Sequence, residues 1–313
     1  MNDKTTKTSL SEKEKIKKIH FLIIISSIPQ IIFGFIYFKL YLCNSCFNLF
    51  LLELLLFLIL SIIIFIFSSN KEKNQYLIGL SLSIIFSYSF SIVLFTSNKY
   101  YPLFIYFISL CIYHYSEFFS VLLYHFDILT SEYFLINHST SWVLATLFSF
   151  IETILGINYF DKYRKIKFFF IIGFLMMIIG QYFRIAALYT GKKNFTHRIS
   201  FDKANEHKLI TNGVFAISRH PSYFGFYLWS VGIEIMCCNP ICIIAFAVIL
   251  FKFFKNRIII EEQLLIQFFG EEYLEYKKKV GILIPFIHLD KEKEEKNLKI
   301  YQNKKNLKKN IFS

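Results

Sequence analysis

Long apolar runs are the feature that most constrains how this chain can fold. Stretches of about 17–25 apolar residues recur along its 313 residues, and each is long enough to cross a hydrocarbon core of roughly 30 Å. The runs are continuous rather than alternating, and only helices or closed barrels satisfy the backbone in lipid. Hydrophobic residues make up 55% of the chain, which argues against a soluble protein with a very apolar core. We therefore predict an all-α, polytopic helical membrane protein.

The apolar pattern predicts about eight transmembrane helices. The last two form a helical hairpin that turns at Asn239-Pro240, because proline ends one helix and can begin the next. Residues 257–280 then alternate charged and apolar groups at helical spacing, which predicts an amphipathic helix at the membrane surface. The predicted spans cover residues 21–41, 47–67, 77–96, 101–124, 141–157, 167–189, 222–238 and 240–254.

Charge patterning predicts the topology of the chain. Eight spans place both termini on one side, and the Lys-rich tails place that side in the cytosol. The basic loop at residues 162–167 falls on the opposite side, which leaves the topology of residues 125–165 open. The predicted segments are a cytosolic Lys-rich head at 1–20, N-terminal transmembrane helices at 21–165, a catalytic core at 166–288 and a basic, disordered tail at 289–313.

The net charge of +13 favours a membrane partner over nucleic acid. Lys and Arg concentrate in the tails and short loops, where they suit anionic lipid headgroups. The aromatic residues lie in the spans and are not interleaved with basic residues, as base stacking would need. Cys43 and Cys46 form a CxxC, but no nearby His/Cys pair completes a zinc site, so no metal is predicted. The lack of a Gly-rich phosphate loop or a Ser/His/Asp arrangement argues mildly against a hydrolase or kinase.

The segment from His207 to Tyr276 sets a dense group of ionisable side chains against membrane-grade apolar sequence. Ionisable groups at or in a bilayer are expensive, so this density indicates a use. The residues Ser218-Arg219-His220 precede a predicted helix in which Pro221 suits the first turn, and a helix N-terminus offers N–H groups to an anion. Gly225 lets another group approach closely. The alternative is an ordinary capped helix start at a membrane interface.

Two arginines and a glutamate complete the candidate site. Arg257 and Glu261 are four residues apart and share one helix face. Arg257 is suited to hold a carboxylate through paired hydrogen bonds, and Glu261 suits ribose hydroxyls or an ammonium group. A solvent-exposed ion pair is the alternative for these two residues. Arg184 either lies in the same cavity or snorkels to the headgroups. Weaker candidates, for which helix–helix hydrogen bonding is the alternative, are Glu53, Glu117 and Glu234.

From the residues alone, the chain carries a membrane-embedded site, open to the cytosol, for an anionic or zwitterionic ligand. The motifs HxLxxxGxFxxxRHPSYxGFxxW, CNPIC and FFGEEYLEY follow one another in near-gapless spacing. They resemble the isoprenylcysteine carboxyl methyltransferase family over residues 181–288, whereas the earlier spans match it in hydropathy and number only. The resemblance implies methyl transfer from S-adenosyl-L-methionine to the C-terminal carboxylate of a prenylated cysteine, the last step of CaaX protein processing. It also implies the endoplasmic reticulum membrane as the location, with the active site facing the cytosol.

The resemblance implies roles for individual residues. Arg257 would bind the substrate carboxylate, with Arg184 beside it as a second catalytic arginine. Phe215 stands where the family often has Tyr and lacks that hydroxyl, and Ser200 replaces a longer polar side chain. The partners implied are CaaX proteins after proteolysis and membrane lipids. Cofactor contacts are implied for Ser200, His207, Lys208, Leu209, Ile210, Phe215, His220, Pro221, Ser222, Tyr223 and Glu261.

Other functions remain open at this point. A membrane phospholipid N-methyltransferase of the same architecture is the main alternative. A reductase of sterol double bonds would need a nicotinamide site, and no such fingerprint is visible in the sequence. A transporter or scaffold would disperse its polar residues at mid-membrane, whereas the polar groups of this chain cluster in its C-terminal third.

Overall fold

The computed structural model describes residues 70–95, 99–136, 139–159, 167–195 and 208–285. The Lys-rich head, the first two predicted spans, the Cys43–Cys46 pair and the basic tail lie outside these residues. All the regular structure within the described residues is helical, which confirms the predicted all-α class. The chain divides into two compact units after Thr146.

Seven α-helices lie within the described residues: α1 Asn70–Phe95, α2 Tyr101–Tyr124, α3 Thr140–Tyr159, α4 Lys167–Gly191, α5 Pro221–Met236, α6 Pro240–Phe269 and α7 Glu271–Lys279. The bounds of α2 to α5 lie within two residues of the predicted spans, whereas α1 begins seven residues earlier than predicted and α6 ends fifteen residues later. Helices α1 to α4 contain segments long and apolar enough to cross a membrane. Helices α5 and α6 form the predicted C-terminal hairpin, and the predicted count of eight spans extends beyond the described residues.

In the first unit, α1 packs against α2 and against a short 3-10 turn at Ser131–Phe134. The rings of Phe118 and Phe134 stack with their centroids 4.0 Å apart. The Tyr115 hydroxyl donates a hydrogen bond to the Gly79 carbonyl at 2.6 Å. Apolar packing and this link between the helices therefore hold the unit together.

In the second unit, α4 and α5 pack closely enough for their backbones to touch. A Cβ added at Gly173 would lie 2.6 Å from the Gly232 carbonyl oxygen, and one added at Gly180 would lie 2.6 Å from that of Gly225. The two glycines of each helix are seven residues apart, so they share one face of their helix. Small residues allow this approach between membrane helices. The group that Gly225 admits is therefore the backbone of α4.

A buried polar cluster ties α3 to the turn of the hairpin. Glu234 accepts hydrogen bonds from Ser149 at 2.8 Å and from the Asn239 amide at 2.7 Å. The same amide donates to Thr153 at 2.8 Å. The Glu152 carboxylate accepts from the first backbone N–H groups of α6, at 2.9 Å each, and so caps that helix. For Glu234, helix–helix hydrogen bonding is the interpretation that the structure confirms.

Helix α6 corrects the prediction of a separate amphipathic helix over residues 257–280. The helix continues without a break from Pro240 to Phe269, and the break falls at Gly270, where φ is +58°. The stretch around Arg257 contains neither Gly nor Pro, so the helix has no reason to stop there. The change from apolar to charged residues marks a change of surroundings, not the end of a helix. The positive φ at Gly270 then lets α7 start in a new direction.

Candidate active site

The segment that leads into α5 is held in place by polar contacts with two other helices. The Asn194 side chain, just after α4, accepts a hydrogen bond from the backbone N–H of Lys208 at 2.8 Å. The Tyr276 hydroxyl of α7 donates to the carbonyl of Phe215 at 2.5 Å. Between these contacts Gly213 takes a positive φ of +58° against the side chain of Thr190. The predicted cofactor segment is thus fixed from both sides.

Glu262 of α6 is the centre of a buried ionic cluster. Its Oε1 atom accepts hydrogen bonds from Arg219 Nε at 2.9 Å, His220 Nε2 at 2.8 Å and the Tyr273 hydroxyl at 2.7 Å. Its Oε2 atom lies 3.0 Å from Lys277 Nζ. A buried carboxylate is stable only when it is paired and hydrogen-bonded, and the three hydrogen bonds together with the Lys277 ion pair meet that need. The cluster joins the residues before α5 to α6 and α7.

The ionisation of this cluster follows from its burial and its partners. Burial lowers the pKa of His220, but hydrogen bonds to Glu261 and Glu262 and the charges of both carboxylates outweigh it and raise the pKa to about 9. Burial raises the pKa of Glu262, but His220, Arg219 and Lys277 outweigh it and hold the pKa well below its usual range. At neutral pH the cluster is therefore an imidazolium held by two carboxylates.

Tyr223 connects the two predicted ligand-binding residues of α6. Its hydroxyl accepts a hydrogen bond from Arg257 Nε at 3.1 Å and donates a short one to Glu261. The Arg257 guanidinium lies over the rings of Tyr223 and Phe253, with centroid distances of 5.5 and 5.6 Å. The His220 ring stacks on Tyr223 and lies 3.4 Å from the Glu261 carboxylate. Arg257 and Glu261 are therefore two ends of one polar chain and not an isolated surface ion pair.

Arg184 points into the protein. The residue is buried, with 8% exposure, and its Nη1 donates to the Ser222 hydroxyl at 2.5 Å. Its guanidinium also lies 5.8 and 5.9 Å from the ring centroids of Phe195 and Phe226. This burial argues against snorkelling of Arg184 to the headgroups, and its place in the same cavity as Arg257 stays a prediction. Ser222 and Tyr223 are neighbours in the first turn of α5. Arg184 contacts the first and Arg257 contacts the second, so both arginines of the candidate site bind the start of this helix.

The described residues place most of the predicted site together at the start of α5 and on the facing side of α6. Leu209 packs against the cluster of Ile266, Tyr273 and Tyr276. Pro221 is buried at the first position of α5, while Ser200 and His207 lie outside the described residues. The predicted ligand-binding residues did not include four residues of the buried ionic cluster, which are Arg219, Glu262, Tyr273 and Lys277. The sequence signals for them are the RHP motif for Arg219, the adjacent acidic pair for Glu262 and the FFGEEYLEY motif for Tyr273.

The fold and the site define a class of protein. It is a helical membrane protein whose buried ionic site lies at the open end of the C-terminal hairpin, where the apolar part of α6 gives way to charged residues. The model of the isoprenylcysteine carboxyl methyltransferase family matches residues 171–267. Protein-S-isoprenylcysteine O-methyltransferase from Dictyostelium discoideum is 42% identical over 184 residues, which is 59% of this chain and 77% of the relative. The enzyme of that name from Saccharomyces cerevisiae is 34% identical over 218 residues, 68% of this chain and 89% of the relative.

A human protein of the same name is 41% identical over 182 residues, and the match spans 58% of this chain and 64% of the human protein, just under two thirds. The solved structure of the eukaryotic intramembrane Ras methyltransferase ICMT superposes with a TM-score of 0.72 at 28% identity, over 85% of this chain and 98% of that one. The chain belongs to the isoprenylcysteine carboxyl methyltransferase family.

Proposed function

We propose that this chain is a methyltransferase that moves the methyl group of S-adenosyl-L-methionine to the C-terminal carboxylate of a prenylated cysteine. That reaction is the last step of CaaX protein processing, and its substrates are CaaX proteins after proteolysis. The observation that carries the proposal is the polar chain from Arg257 through Tyr223 to Glu261. It sets a cation suited to a carboxylate beside an acidic group suited to the cofactor. The names of the relatives support the same reaction.

Arg257 is proposed to bind the substrate carboxylate. A guanidinium can hold both oxygens of a carboxylate at once, which fixes the direction from which one of them attacks. The rings of Tyr223 and Phe253 cover the guanidinium and make its surroundings drier than water, so the bound carboxylate is less solvated. Arg184 is proposed as the second arginine of the site. It binds Ser222, the residue of α5 that precedes Tyr223.

The residues present fit the proposed cofactor. The Glu261 side chain is 24% exposed, against 4% for Glu262, so Glu261 is the carboxylate that a ligand can reach. It suits the ammonium group or the ribose hydroxyls of S-adenosyl-L-methionine, while Leu209 and Phe215 offer partly buried apolar surface for its adenine. The further contacts proposed are Ser200, His207, Lys208, Ile210, His220, Pro221, Ser222 and Tyr223.

In the proposed reaction the main task of the protein is to position the carboxylate and the methyl donor, because no proton has to be transferred. When bound, the cofactor supplies a methyl group already activated on a sulfonium. The acceptor carboxylate is ionised at pH 7, so it needs no general base. A carboxylate oxygen forms the new bond to the methyl carbon as the carbon–sulfur bond breaks, which leaves a methyl ester and a neutral thioether. Arg257 and Glu261 therefore act by holding the two partners in line.

The surface of α6 supports a site at the cytosolic edge of the membrane. Its exposed face is apolar at Ile241, Ile244 and Ile249 and becomes basic at Lys252. At 1.5 Å per residue, Arg257 lies roughly 7–8 Å further along the helix than Lys252. A lipid-like prenyl chain can then enter from the bilayer while a water-soluble cofactor arrives from the cytosol. We propose the endoplasmic reticulum membrane as the location, with both termini and the site in the cytosol.

Membranes that contain the protein, methyl-labelled S-adenosyl-L-methionine and a farnesylated cysteine with a free carboxylate test the proposal. We expect base-labile label on that substrate and none on a non-prenylated analogue. The Arg257→Ala variant should lose the transfer, and Lys252→Ala, which removes an exposed charge from the same helix, should keep it. Label on a lipid amine instead would point to a phospholipid N-methyltransferase. A protein that binds no cofactor would contradict the enzyme altogether.

A further inference from the structure

We propose that Glu262 is a positioning residue for the cofactor half of the site, and that it makes α7 part of that half. The inference rests on the proposed function, because it concerns how the cofactor-binding residues are held. Glu262 itself is not proposed to touch the cofactor, since its side chain is only 4% exposed. The residue acts through its neighbours on both sides.

On one side, Glu262 fixes the ring of His220. Its Oε1 atom accepts from His220 Nε2 at 2.8 Å, while the other ring nitrogen lies 3.4 Å from the Glu261 carboxylate. The same ring stacks on Tyr223, whose hydroxyl donates to Glu261. One imidazole therefore connects the buried carboxylate with the carboxylate that a ligand can reach. A shift of Glu262 would turn this ring and so displace Glu261, the carboxylate that the other ring nitrogen approaches.

On the other side, Glu262 holds α7 against the site. The Tyr273 hydroxyl and Lys277 Nζ both bind its carboxylate, at 2.7 and 3.0 Å. Arg219 adds to the contact between Glu262 and α7, because its Nη1 donates to the backbone carbonyls of Lys277 and Val280 at the end of that helix. Helix α7 lies beyond residues 171–267, the part of the chain that the family model matches. The cofactor half of the site thus depends on a segment outside that match.

The Glu262 carboxylate is the shared counter-charge of three cationic side chains. The positive charges of Arg219 and Lys277 and the imidazolium of His220 meet at one carboxylate. Without its charge, like charges would remain together in a buried place, and they would move apart. A neutral side chain of the same size at position 262 should therefore disturb His220 and α7 while leaving Arg257 on its own partner, Tyr223.

The Glu262→Gln variant tests this inference through cofactor binding measured without turnover. Purified protein in lipid nanodiscs is titrated with labelled S-adenosyl-L-methionine, and the KM for the farnesylated cysteine is measured separately at saturating cofactor. Loss of a charge-assisted hydrogen bond predicts a cofactor Kd weaker by roughly 10- to 100-fold. The KM for the farnesylated cysteine should stay within about twofold, because uniform loss would indicate general damage instead.

Two milder variants keep the test decisive if Glu262→Gln does not fold. Tyr273→Phe removes one hydroxyl and Lys277→Ala removes one cation, and each should weaken cofactor binding several-fold. Lys278→Ala is the matched control, since Lys278 is exposed on the same helix and should bind the cofactor like the wild type. Equal Kd values for Lys277→Ala, Tyr273→Phe and the wild type would overturn the inference. So would an equal loss of cofactor and farnesylated cysteine binding.

The proposed function and this inference fail in different ways. If the wild type binds S-adenosyl-L-methionine but transfers nothing to the farnesylated cysteine, the acceptor is wrong. The comparison of Kd values between variants still decides the role of Glu262 in that case. If the wild type transfers label and Glu262→Gln binds the cofactor as tightly as the wild type, the function stands and the role of Glu262 is wrong.

Discussion

Tyr223 receives a hydrogen bond from Arg257, at 3.1 Å between the hydroxyl oxygen and Nε, across the gap between α5 and α6. Its hydroxyl donates a hydrogen bond to the Glu261 carboxylate. One side chain thus sets the separation between the proposed substrate-binding cation and the proposed cofactor-binding carboxylate. Arg257 and Glu261 each contact this hydroxyl from their own side, so replacing one of them is expected to affect mainly its own half of the site.

Replacement of Arg257 by Lys should reduce transfer almost as strongly as replacement by Ala. A lysine keeps the charge but loses the planar pair of donors and the stacking over Tyr223 and Phe253. We expect kcat/KM for the farnesylated cysteine to fall by roughly 100-fold or more, because one misplaced oxygen disturbs the line of attack. Cofactor binding and the unfolding temperature should stay near wild type. Full activity in the lysine variant would exclude paired binding by Arg257.

Glu261→Gln should weaken cofactor binding more than prenyl-substrate binding. The variant removes the charge that suits an ammonium group, and it leaves the amide oxygen to accept from Tyr223. We expect a cofactor Kd higher by roughly tenfold, with the KM for the farnesylated cysteine little changed. Isothermal titration with the cofactor and steady-state kinetics with varied farnesylated cysteine separate the two. Equal weakening of both would contradict this division between Glu261 and Arg257.

Local signals in the sequence were enough to predict most of the helix bounds and the helix face that Arg257 and Glu261 share. Long apolar runs and the prolines at 221 and 240 placed α5 and the start of α6 to within a few residues. The four-residue spacing of Arg257 and Glu261 placed them on one face, as the structure confirms through Tyr223. Each of these features depends on residues close together in the chain, where helical periodicity alone determines which side chains are neighbours.

Contacts between distant residues could not be predicted in the same way. Glu262 follows Glu261 directly, so nothing in the sequence says which of the two is buried. The answer depends on Tyr273 and Lys277, whose approach needs the change of direction at Gly270. The residue that packs against Gly225 could not be predicted either. Gly180 lies 45 positions earlier in the chain, and only the antiparallel packing of α4 and α5 brings the two glycines together.

An added methyl group at Gly173 or Gly180 of α4, which face the backbone of α5, should lower the stability of the protein. An alanine at Gly173 or Gly180 would push its Cβ into the backbone of α5, which cannot move aside as a flexible side chain can. We expect each variant to lower the free energy of unfolding by roughly 1–3 kcal/mol. The matched control is Gly79→Ala in α1, where the nearest atom would be 3.8 Å away. That variant should be neutral or slightly stabilising, because Ala favours a helix more than Gly does.

Thermal unfolding of these variants in detergent gives the measurement. The unfolding temperature should fall for Gly173→Ala and Gly180→Ala and should stay level or rise for Gly79→Ala. An unchanged unfolding temperature in the first two variants would mean that α4 and α5 are further apart than this packing requires.

The pH dependence of stability should report the cluster around Glu262. The pKa of His220 is raised from 6.5 to about 9, so its contribution to stability is complete below pH 6.5 and is lost as the pH rises towards 9. The pKa of Glu262 is lowered from 4.5, so its contribution is complete above that pH and is lost on further acidification. Unfolding temperatures between pH 5 and 9.5 should therefore fall on the alkaline side. The fall should be smaller in His220→Gln, which has no proton to lose there, and an equal fall in both proteins would mean that another group titrates.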